Sequence, residues 1–479
     1  MPTQPSNPPL TMLRVRGTKI VDEDGKEILL KGAGIGGMLN MENFITGYAG
    51  HEHEHRAAMT EVLGKEKADF FFARLIHHFF TEDDAALYAS LGLNCLRVPF
   101  NYRHFMDDDN PGMIKESGFG LLDRIVDICA EYNIYVILDL HAVPGGQNQD
   151  WHCDSGISRA LFWEFKDFQD RAIQLWEALA RHYAGNKVVA GYNPLNEPAD
   201  PEHTRLIAWY ERVERAIRAV DPHHMLFLDG NTYAMDFSAF SPERTLPNSV
   251  YSCHDYSMMG FPLPEQYEGT EEQKRRLRRS LLRKVEFMQR AGVPIWNGEW
   301  GPVYQDPRTD PDAAATNEKR FALLREQLAI YRETGGGGGI SWSIWLYKDI
   351  GYQGMVHLDP ESAYMRLVRP FVDKKQREGL DFWGCADKSG VDAAAYSPFV
   401  ARLREAVPER LRRKKYPPTW TFERHVERVV REYAGWEFAE LFRGKTEAEL
   451  EELAASFALR SCRTRDRLNE CLREDAVGA

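Results

Sequence analysis

The segment IYVILDLH at residues 134–141 is an almost continuous apolar run that closes on Asp-Leu-His. A short apolar run of this kind is typical of a strand buried on both faces of a parallel sheet. Seven further runs of the same character follow the same pattern along the chain. They lie at residues 28–35, 94–100, 188–196, 225–230, 250–256, 293–299 and 339–345. Together the eight runs predict eight buried, parallel strands.

The segments between these runs have helical periodicity and capping residues. Thr81 opens TEDDAALYASLG, which has acidic residues in its first turn and Gly92 just past its end. Thr270 opens a long basic helix, with Gln273 at the capping-box position. Strands that alternate with helices in this way predict an α/β fold, a (β/α)₈ TIM barrel, with an open doubly wound sheet as the alternative. The barrel is favoured because polar residues cluster at so many strand ends.

Two segments exceed the plan of a minimal barrel. Residues 38–80, between the first and second strands, form a connection that is long for a βα loop. Beyond residue 370 the chain becomes rich in Arg and Glu with helical spacing. We therefore predict a barrel over residues 1–370, with 38–80 inserted over its mouth. Residues 371–479 are predicted to form a mainly helical extension packed on the barrel.

Composition excludes several classes of partner. Hydrophobic residues make up 43% of the 479 residues, which is ample for a large core and too apolar for a disordered chain. The formal net charge of −12 provides no basic surface for nucleic acid. No apolar stretch approaches the length of a membrane span. The predicted partners therefore include neither nucleic acid nor a membrane.

The N-terminal stretch and the cysteines predict the cellular compartment. The opening MPTQPSNPPL is polar and lacks the basic and apolar regions of a secretory signal. The seven cysteines are scattered and odd in number, and no Asn-x-Ser/Thr sequon occurs. These features predict a reduced, cytoplasmic protein without a disulfide framework. A processed secreted form is the alternative.

Polar and aromatic side chains stand at or just beyond the ends of six predicted strands. They are Arg97, His141, Asn196, Glu197, His254, Tyr256, Glu299 and Trp345. In a barrel the carboxyl ends of all strands meet on one face, so residues far apart in sequence surround one pocket. Any one of these residues alone could be a structural ion-pair partner, a core histidine or a solvated loop residue. Their coincidence in one strand pattern predicts an active site.

Two carboxylates from different strands, Glu197 and Glu299, are expected to face each other in that pocket. Such a pair can hydrolyse a glycosidic bond when one group is protonated and the other is ionised. Arg97, His254 and Tyr256 are expected to hold Glu299 ionised, whereas the less compensated Glu197 keeps its proton. Flat aromatic faces for a sugar are expected from Trp345, Trp342, Trp151 and Trp300. The predicted partner is therefore a carbohydrate.

The motifs LNCLRVPF, VILDLHAVPGGQN, GYNPLNEP, CHDY, PIWNGEWG and ISWSIW resemble those of glycoside hydrolase family five, in clan A. The resemblance covers residues 15–370. It implies a retaining β-glycosidase with Glu197 as acid/base and Glu299 as nucleophile. It also implies that Asn196 binds the 2-hydroxyl of the sugar in the −1 subsite. The same resemblance completes this subsite with Arg97, His141, His254, Tyr256 and Trp345.

One branch of the family resembles this chain more specifically. The loop HAVPGGQNQDWHCDSG at residues 141–156 is similar to that of exo-acting β-glucanases and β-glucosidases. The resemblance implies that Asn148 contacts the terminal sugar. The segments ENFITGYAGHE at 42–52 and IWLYKDIGYQGM at 344–355 resemble fungal intracellular β-glucosidases. The predicted substrates are β-glucosides or short β-linked gluco-oligosaccharides, cleaved in an exo mode.

Other functions stay open at this stage. The specificity could be that of a xylosidase, a mannanase, a diglycosidase or an endoglucanase, and a catalytically inactive carbohydrate-binding barrel is an alternative of another class. The run His51-Glu-His53-Glu-His55 could ligate a metal, since histidines four residues apart share a helix face. Such a run is more often a solvated segment. We predict that activity needs no metal and no organic cofactor.

Overall fold

Eight parallel strands close into a barrel at the centre of the protein. The computed structural model describes residues 7–157, 159–335, 338–380, 391–412 and 418–478. Each barrel strand pairs with its neighbour in chain order, and the last pairs with the first. The barrel strands are β3 (Lys31–Gly34), β4 (Cys95–Asn101), β5 (Tyr135–Ala142), β6 (Val189–Asn193), β7 (Met225–Asp229), β8 (Ser249–His254), β9 (Ile295–Glu299) and β10 (Ser341–Ile344). The predicted (β/α)₈ barrel is therefore confirmed.

Every predicted apolar run overlaps one barrel strand, and most of these runs extend past the strand. The run at 188–196, for example, contains β6, which ends at Asn193. The strands are buried along their whole length because helices cover the outside and side chains fill the inside. Of the predicted site residues, His254 and Glu299 end their strands, and Asn196 and Glu197 follow β6. Arg97 was expected to end its strand but lies inside β4, which continues to Asn101.

Helices connect and surround the barrel strands. They are α4 (Glu82–Ser90), α5 (Glu116–Glu131), α6 (Lys166–Tyr183), α7 (Arg205–Arg218), the single turn α8 (Asn231–Ala234), α9 (Glu271–Ala291), α10 (Ala313–Glu333) and α11 (Ala363–Arg377). Thr81 caps α4 in a capping box with Asp84, and Thr270 Oγ1 accepts a hydrogen bond from the Gln273 N–H at the start of α9. These two helices therefore begin where the capping residues predict.

The insertion between β3 and α4 and the C-terminal segment are both largely helical. They contain α1 (Asn43–Thr46), α2 (Glu52–Leu63) and α3 (Lys65–Phe79), then α12 (Val391–Ala406), α13 (Glu409–Arg412), α14 (Pro418–Glu440), α15 (Glu447–Ala455) and α16 (Asp466–Val477). None of the helices within the described ranges is both long and apolar enough to span a bilayer. The domain boundary proposed at residue 370 falls inside α11, which continues to Arg377.

The C-terminal segment packs against the insertion and against the amino-terminal end of the barrel. Helix α14 contacts α2, and α15 contacts α3. In α16, Asp475 forms a buried ion pair of 2.8 Å with Lys31, at the start of β3. The indole N–H of Trp342 donates to the same carboxylate at 3.1 Å. Apolar residues of both segments belong to one continuous core.

Five short strands lie outside the barrel. An antiparallel hairpin precedes it, and a three-stranded sheet follows β10. These strands are β1 (Arg14–Arg16), β2 (Lys19–Val21), β11 (Lys348–Asp349), β12 (Val356–Leu358) and β13 (Cys462–Thr464). Because β13 belongs to the C-terminal segment and pairs with β12, that segment is joined to the barrel by backbone hydrogen bonds as well as by side chains.

Candidate active site

Two glutamates face each other at the carboxyl end of the barrel. Glu299 is the last residue of β9, and Glu197 lies in the loop that follows β6. Their side chains are largely buried, at 6% and 13% exposure. An oxygen atom of one carboxylate lies within 4.8 Å of an oxygen atom of the other. So close an approach favours the retaining geometry, with carboxyl groups roughly 5–5.5 Å apart, over the inverting one at roughly 6.5–9.5 Å.

The guanidinium of Arg97 holds the floor of the site together. One of its Nη atoms donates to Glu299 Oε1. The other donates to the side-chain oxygens of Asn196 at 2.6 Å and Asn193 at 3.0 Å, and lies 3.0 Å from Asp139 Oδ2. Arg97 is completely buried, so these contacts replace its hydration. The planar cation therefore fixes the orientation of Glu299 and of the amide of Asn196.

Tyr256 and His254 form hydrogen bonds with different glutamates. Tyr256 Oη donates to Glu299 Oε2 at 3.0 Å, as expected. His254 Nδ1 lies 2.7 Å from Glu197 Oε1 but 3.6 Å from Glu299 Oε2. His254 thus forms its hydrogen bond with Glu197, while its charge favours the ionised form of Glu299, as expected. The register of β8 against β9 shifts between Cys253 and His254, which places the imidazole beside the loop that carries Glu197.

Burial dominates the ionisation of both glutamates. Burial, together with the nearby charge of Asp229, raises the pKa of Glu197 to about 8. Burial also raises the pKa of Glu299, but only to about 7, because His254 and Arg97 favour its ionised form. The pair thus retains the expected order, with Glu197 the weaker acid. Two carboxyl groups with separated pKa values can act as acid and nucleophile.

His141, Asn196 and Trp345 form one side of the pocket. His141 Nδ1 lies 2.7 Å from Asp139 Oδ2, so its Nε2 can accept from the Asn196 amide at 3.3 Å. The rings of His141 and Trp345 are stacked, with centroids 5.5 Å apart and planes at 3°. A Cβ atom at Gly34 would lie 2.6 Å from the indole of Trp345, so this close approach requires glycine.

The loop after β5 carries Asn148 and Trp151 to the same pocket. Asn148 Nδ2 donates to His152 Nε2 at 2.7 Å and to the backbone oxygen of Glu197 at 3.0 Å. Its side-chain oxygen accepts from the N–H of Asp150. Asn148 therefore ties this loop to the loop of Glu197, and its contact with a terminal sugar stays a prediction. Trp151 is partly exposed at the rim.

Two of the four tryptophans expected to face a sugar lie in the core instead. Trp300 and Trp342 are 0% and 1% exposed and pack edge to face, with centroids 5.6 Å apart. The indole of Trp342 points to Asp475 at the far end of the barrel. The prediction is wrong for these two because Trp300 packs on Tyr331 of α10 and on Trp342. Trp345 is equally buried but stacks on His141 in the site. Trp151 and Trp345 remain candidate platforms.

Three acidic residues of the site were not predicted. Asp139 lies within β5, and Asp229 ends β7, where its Oδ2 accepts from the backbone N–H of Glu197 at 2.9 Å. Glu42, in the loop after β3, is 4% exposed, and its Oε1 lies 3.7 Å from His141 Nε2. Burial and the charges of Glu299 and Glu197 raise the pKa of Glu42 well above its usual range. The sequence signal that could have identified these residues is an acidic side chain within an otherwise apolar run.

Glu42 offers a hydrogen-bond acceptor to whatever fills the pocket. In the part of the chain that the structure describes, its Oε1 has no hydrogen-bond partner. A buried carboxylate oxygen without a partner is costly unless a ligand supplies the missing donor. A sugar hydroxyl supplies such a donor. The geometry therefore suits a polyhydroxylated ligand beside the two glutamates.

The histidine-rich run at residues 51–55 does not converge on a metal site. His51 precedes α2, and His53 Nδ1 lies 2.6 Å from Asp154 Oδ1. His55 stacks on Tyr48 with centroids 4.3 Å apart, and burial lowers its pKa to about 3. Each ring thus serves packing or loop anchoring. Among the described residues, the acidic and histidine side chains close enough to share an ion are Glu197, His254 and Glu299.

We expect activity to be insensitive to chelation. Two carboxyl groups and water suffice for glycoside hydrolysis, and an ion on Glu197 and Glu299 would block both of them. Hydrolysis of an aryl glycoside should therefore keep its rate after dialysis against EDTA. A parallel sample dialysed without EDTA is the control. Complete loss of activity that a divalent cation restores would contradict this expectation.

A sequence model of the cellulase family, glycosyl hydrolase family 5, matches residues 65–349, more than half of the chain. The chain belongs to glycoside hydrolase family five. The family match spans β4 through β11 and therefore includes both glutamates. This family-five chain is thus a glycoside hydrolase.

Individual relatives agree with this assignment. The chain is 53% identical to a protein of Phanerodontia chrysosporium named "Beta-xylosidase", over 98% of each chain. It is 27% identical to "Endoglucanase C" of Acetivibrio thermocellus, over 66% of this chain and 95% of the relative. A solved structure titled "Crystal structure of endogalactoceramidase" aligns with a TM-score of 0.52 at 18% identity, over 71% of this chain and 75% of that one. The last likeness concerns the fold alone.

Proposed function

We propose that this family-five hydrolase is a retaining, exo-acting β-glycosidase that removes single sugars from the non-reducing end of its substrate. The observation that carries this proposal is the separation of at most 4.8 Å between oxygen atoms of Glu197 and Glu299. A pair this close leaves no room for a water between carboxylate and sugar, so one carboxylate attacks directly. The different environments of the two groups assign their roles.

In the first step Glu299 acts as the nucleophile. Its carboxylate attacks the anomeric carbon while Glu197 donates its proton to the glycosidic oxygen. The bond between that carbon and oxygen breaks, the aglycone leaves as an alcohol, and an ester joins the sugar to Glu299. Arg97 and Tyr256 orient the attacking carboxylate through their hydrogen bonds. The raised pKa of Glu197 keeps the required proton in place.

In the second step the same groups exchange tasks. Glu197 is now ionised and accepts a proton from water as that water attacks the anomeric carbon. The ester bond breaks, Glu299 regains its charge, and Glu197 regains its proton. Two displacements at one carbon restore the original configuration. The amide of Asn196, held by Arg97 and His141, lies where it can bind the 2-hydroxyl during both steps.

The glycone proposed first is β-linked xylose. The relative named "Beta-xylosidase", 53% identical over nearly the full length, supports this choice. A β-glucoside is the second candidate, supported by the resemblance of residues 141–156 to the β-glucosidase branch. Glucose carries one hydroxymethyl group that xylose lacks. A closed pocket can distinguish the two sugars by that group. An endo mode is disfavoured because the insertion and the loop after β5 both lie over the mouth.

A pair of matched substrates tests the glycone. We expect the value of kcat/KM for p-nitrophenyl β-xyloside to exceed that for p-nitrophenyl β-glucoside by about 10- to 200-fold, the usual discrimination for one such carbon group in a pocket. The leaving group is the same in both, so the ratio reports on the glycone alone. p-Nitrophenyl α-xyloside is the control and should not react. A ratio of one or below would favour the glucoside.

We also keep an intracellular location as a proposal. The six cysteines that the structure describes are free. Five of them are buried, and burial raises the thiol pKa values, for example to about 11 at Cys153. Unpaired thiols are typical of proteins from reducing compartments.

A further inference from the structure

The C-terminal helix α14 lies directly behind a rim residue of the active site. The guanidinium of Arg431 lies over the indole of Trp151, with its carbon 5.5 Å from the ring centroid. Arg431 Nε also donates to the backbone oxygen of Leu380 at 3.1 Å. A cation over an indole face within about 6 Å is attractive. Arg431 therefore holds the indole of Trp151 from helix α14.

Trp151 in turn borders the part of the pocket that lies beyond the catalytic pair. Burial raises the pKa of Glu42 and the Trp151 side chain opposes that rise, so the indole lies beside that carboxyl group. Glu42 lies next to His141, on the side of the pocket formed by the loop after β3. Contacts therefore run from His141 to Glu42, from Glu42 to Trp151, and from Trp151 to Arg431.

The space between these groups is almost filled. A cavity of about 10 Å³ separates His51, Trp151, Arg428 and Arg431. A single water needs at least roughly 10–15 Å³ of such space. Arg428 and Arg431 of α14 therefore pack closely against the loop that carries Trp151.

Helix α14 is anchored to the same insertion that carries Glu42. Arg428 Nη1 lies 2.8 Å from Glu54 Oε1 of α2, and Phe438 packs on His55 with centroids 5.4 Å apart. The neighbouring Glu52 of α2 accepts from the N–H of Met41 at 2.8 Å, one residue before Glu42. The helix, the insertion and the Glu42 loop thus form one packed unit.

We infer that the C-terminal extension supplies the wall that limits the glycone pocket to one sugar, through Arg431 behind Trp151. Arg431 acts here as a positioning residue and does not take part in the chemistry. The inference rests on the proposed exo function and adds its structural cause. Residues 418–440 would then contribute to substrate specificity, although they contain none of the groups assigned to catalysis.

Product analysis on xylotetraose and cellotetraose tests the wall. The variants are Arg431→Ala, Trp151→Ala and the double variant, and Arg443→Ala is the matched control because Arg443 is an exposed arginine of the same segment. Wild type and control should release monosaccharide first. In the double variant the initial ratio of disaccharide to monosaccharide should rise at least about tenfold, because a steric element that rejects a second sugar is gone. Each single variant should show a smaller rise.

A purely structural role would not change product length. Arg431→Lys, which keeps a cation near the indole, should retain the wild-type product pattern. An unchanged ratio in Arg431→Ala and in the double variant, with aryl glycoside activity present, would overturn the inference and leave the exo function intact. Mixed oligosaccharides released first by the wild type would instead overturn the exo function itself. If the double variant does not fold, the Arg431→Ala ratio decides alone.

Discussion

Glu299→Gln abolishes turnover of every glycoside, with an expected loss in kcat of at least about 10⁴-fold, because no carboxylate remains to form the glycosyl ester. Glutamine keeps the size of the side chain and can still accept a hydrogen bond from Arg97, so the site should keep its shape. The rate of p-nitrophenol release measures the loss. Glu271→Gln, at an exposed glutamate in the first turn of α9, is the control and should retain full activity.

The identity of the nucleophile can be observed directly. Treatment with a 2-deoxy-2-fluoro glycoside should trap the ester, and mass spectrometry of the peptides should place the added mass on Glu299. The first product formed by the wild type should keep its β configuration, as proton NMR measures. A label on the Glu197 peptide would reverse the two roles. An inverted first product would remove the covalent mechanism.

Glu197→Ala should separate the two steps of the reaction. Hydrolysis of natural glycosides should fall by about 10²–10⁴-fold, the usual contribution of general acid–base catalysis. The first step should survive with a dinitrophenyl glycoside, whose leaving group needs no proton. Azide should accelerate this variant because it attacks the ester without a general base, and the product should be a β-glycosyl azide. No acceleration by azide would argue against Glu197 as acid/base.

The pH dependence offers a second measurement on the same residue. Burial raises the pKa of Glu197, so the folded protein keeps this proton to a higher pH than a free glutamate does. In the wild type, kcat/KM should therefore fall on the alkaline side as Glu197 ionises. With the dinitrophenyl substrate this alkaline fall should be absent in Glu197→Ala. An unchanged alkaline limb in the variant would assign the titration to another group.

Much of the fold follows from local pattern. A strand buried on both faces must be apolar along its length, so the eight runs revealed eight barrel strands without any tertiary information. The capping residues Thr81 and Thr270 likewise marked two helix starts, because a cap is a contact within three residues. The boundary at residue 370 was placed at a shift in composition, and such a shift need not coincide with a helix end: α11 continues to Arg377.

The site was predictable only as far as its members stand at strand ends. Glu197, Glu299 and Arg97 were found because barrel topology brings all strand ends to one face. The strand-end pattern does not show which donor forms a hydrogen bond with which carboxylate. His254, for example, forms its hydrogen bond with Glu197, at a point where the register of β8 against β9 shifts. Trp300 and Trp342 were misassigned because an aromatic residue near a strand end can pack inward or outward, and the sequence does not distinguish the two.

The sequence by itself determined the positions of the strands, the two carboxyl groups and the family, because each depends on residue types within short segments. Only the tertiary structure decided that Glu42 is buried beside His141 and that Arg431 stands behind Trp151. These contacts join segments far apart in the chain, and their geometry depends on how the insertion and the C-terminal helix pack on each other. Packing of that kind depends on the shapes of many side chains together, so no local sequence pattern predicts it.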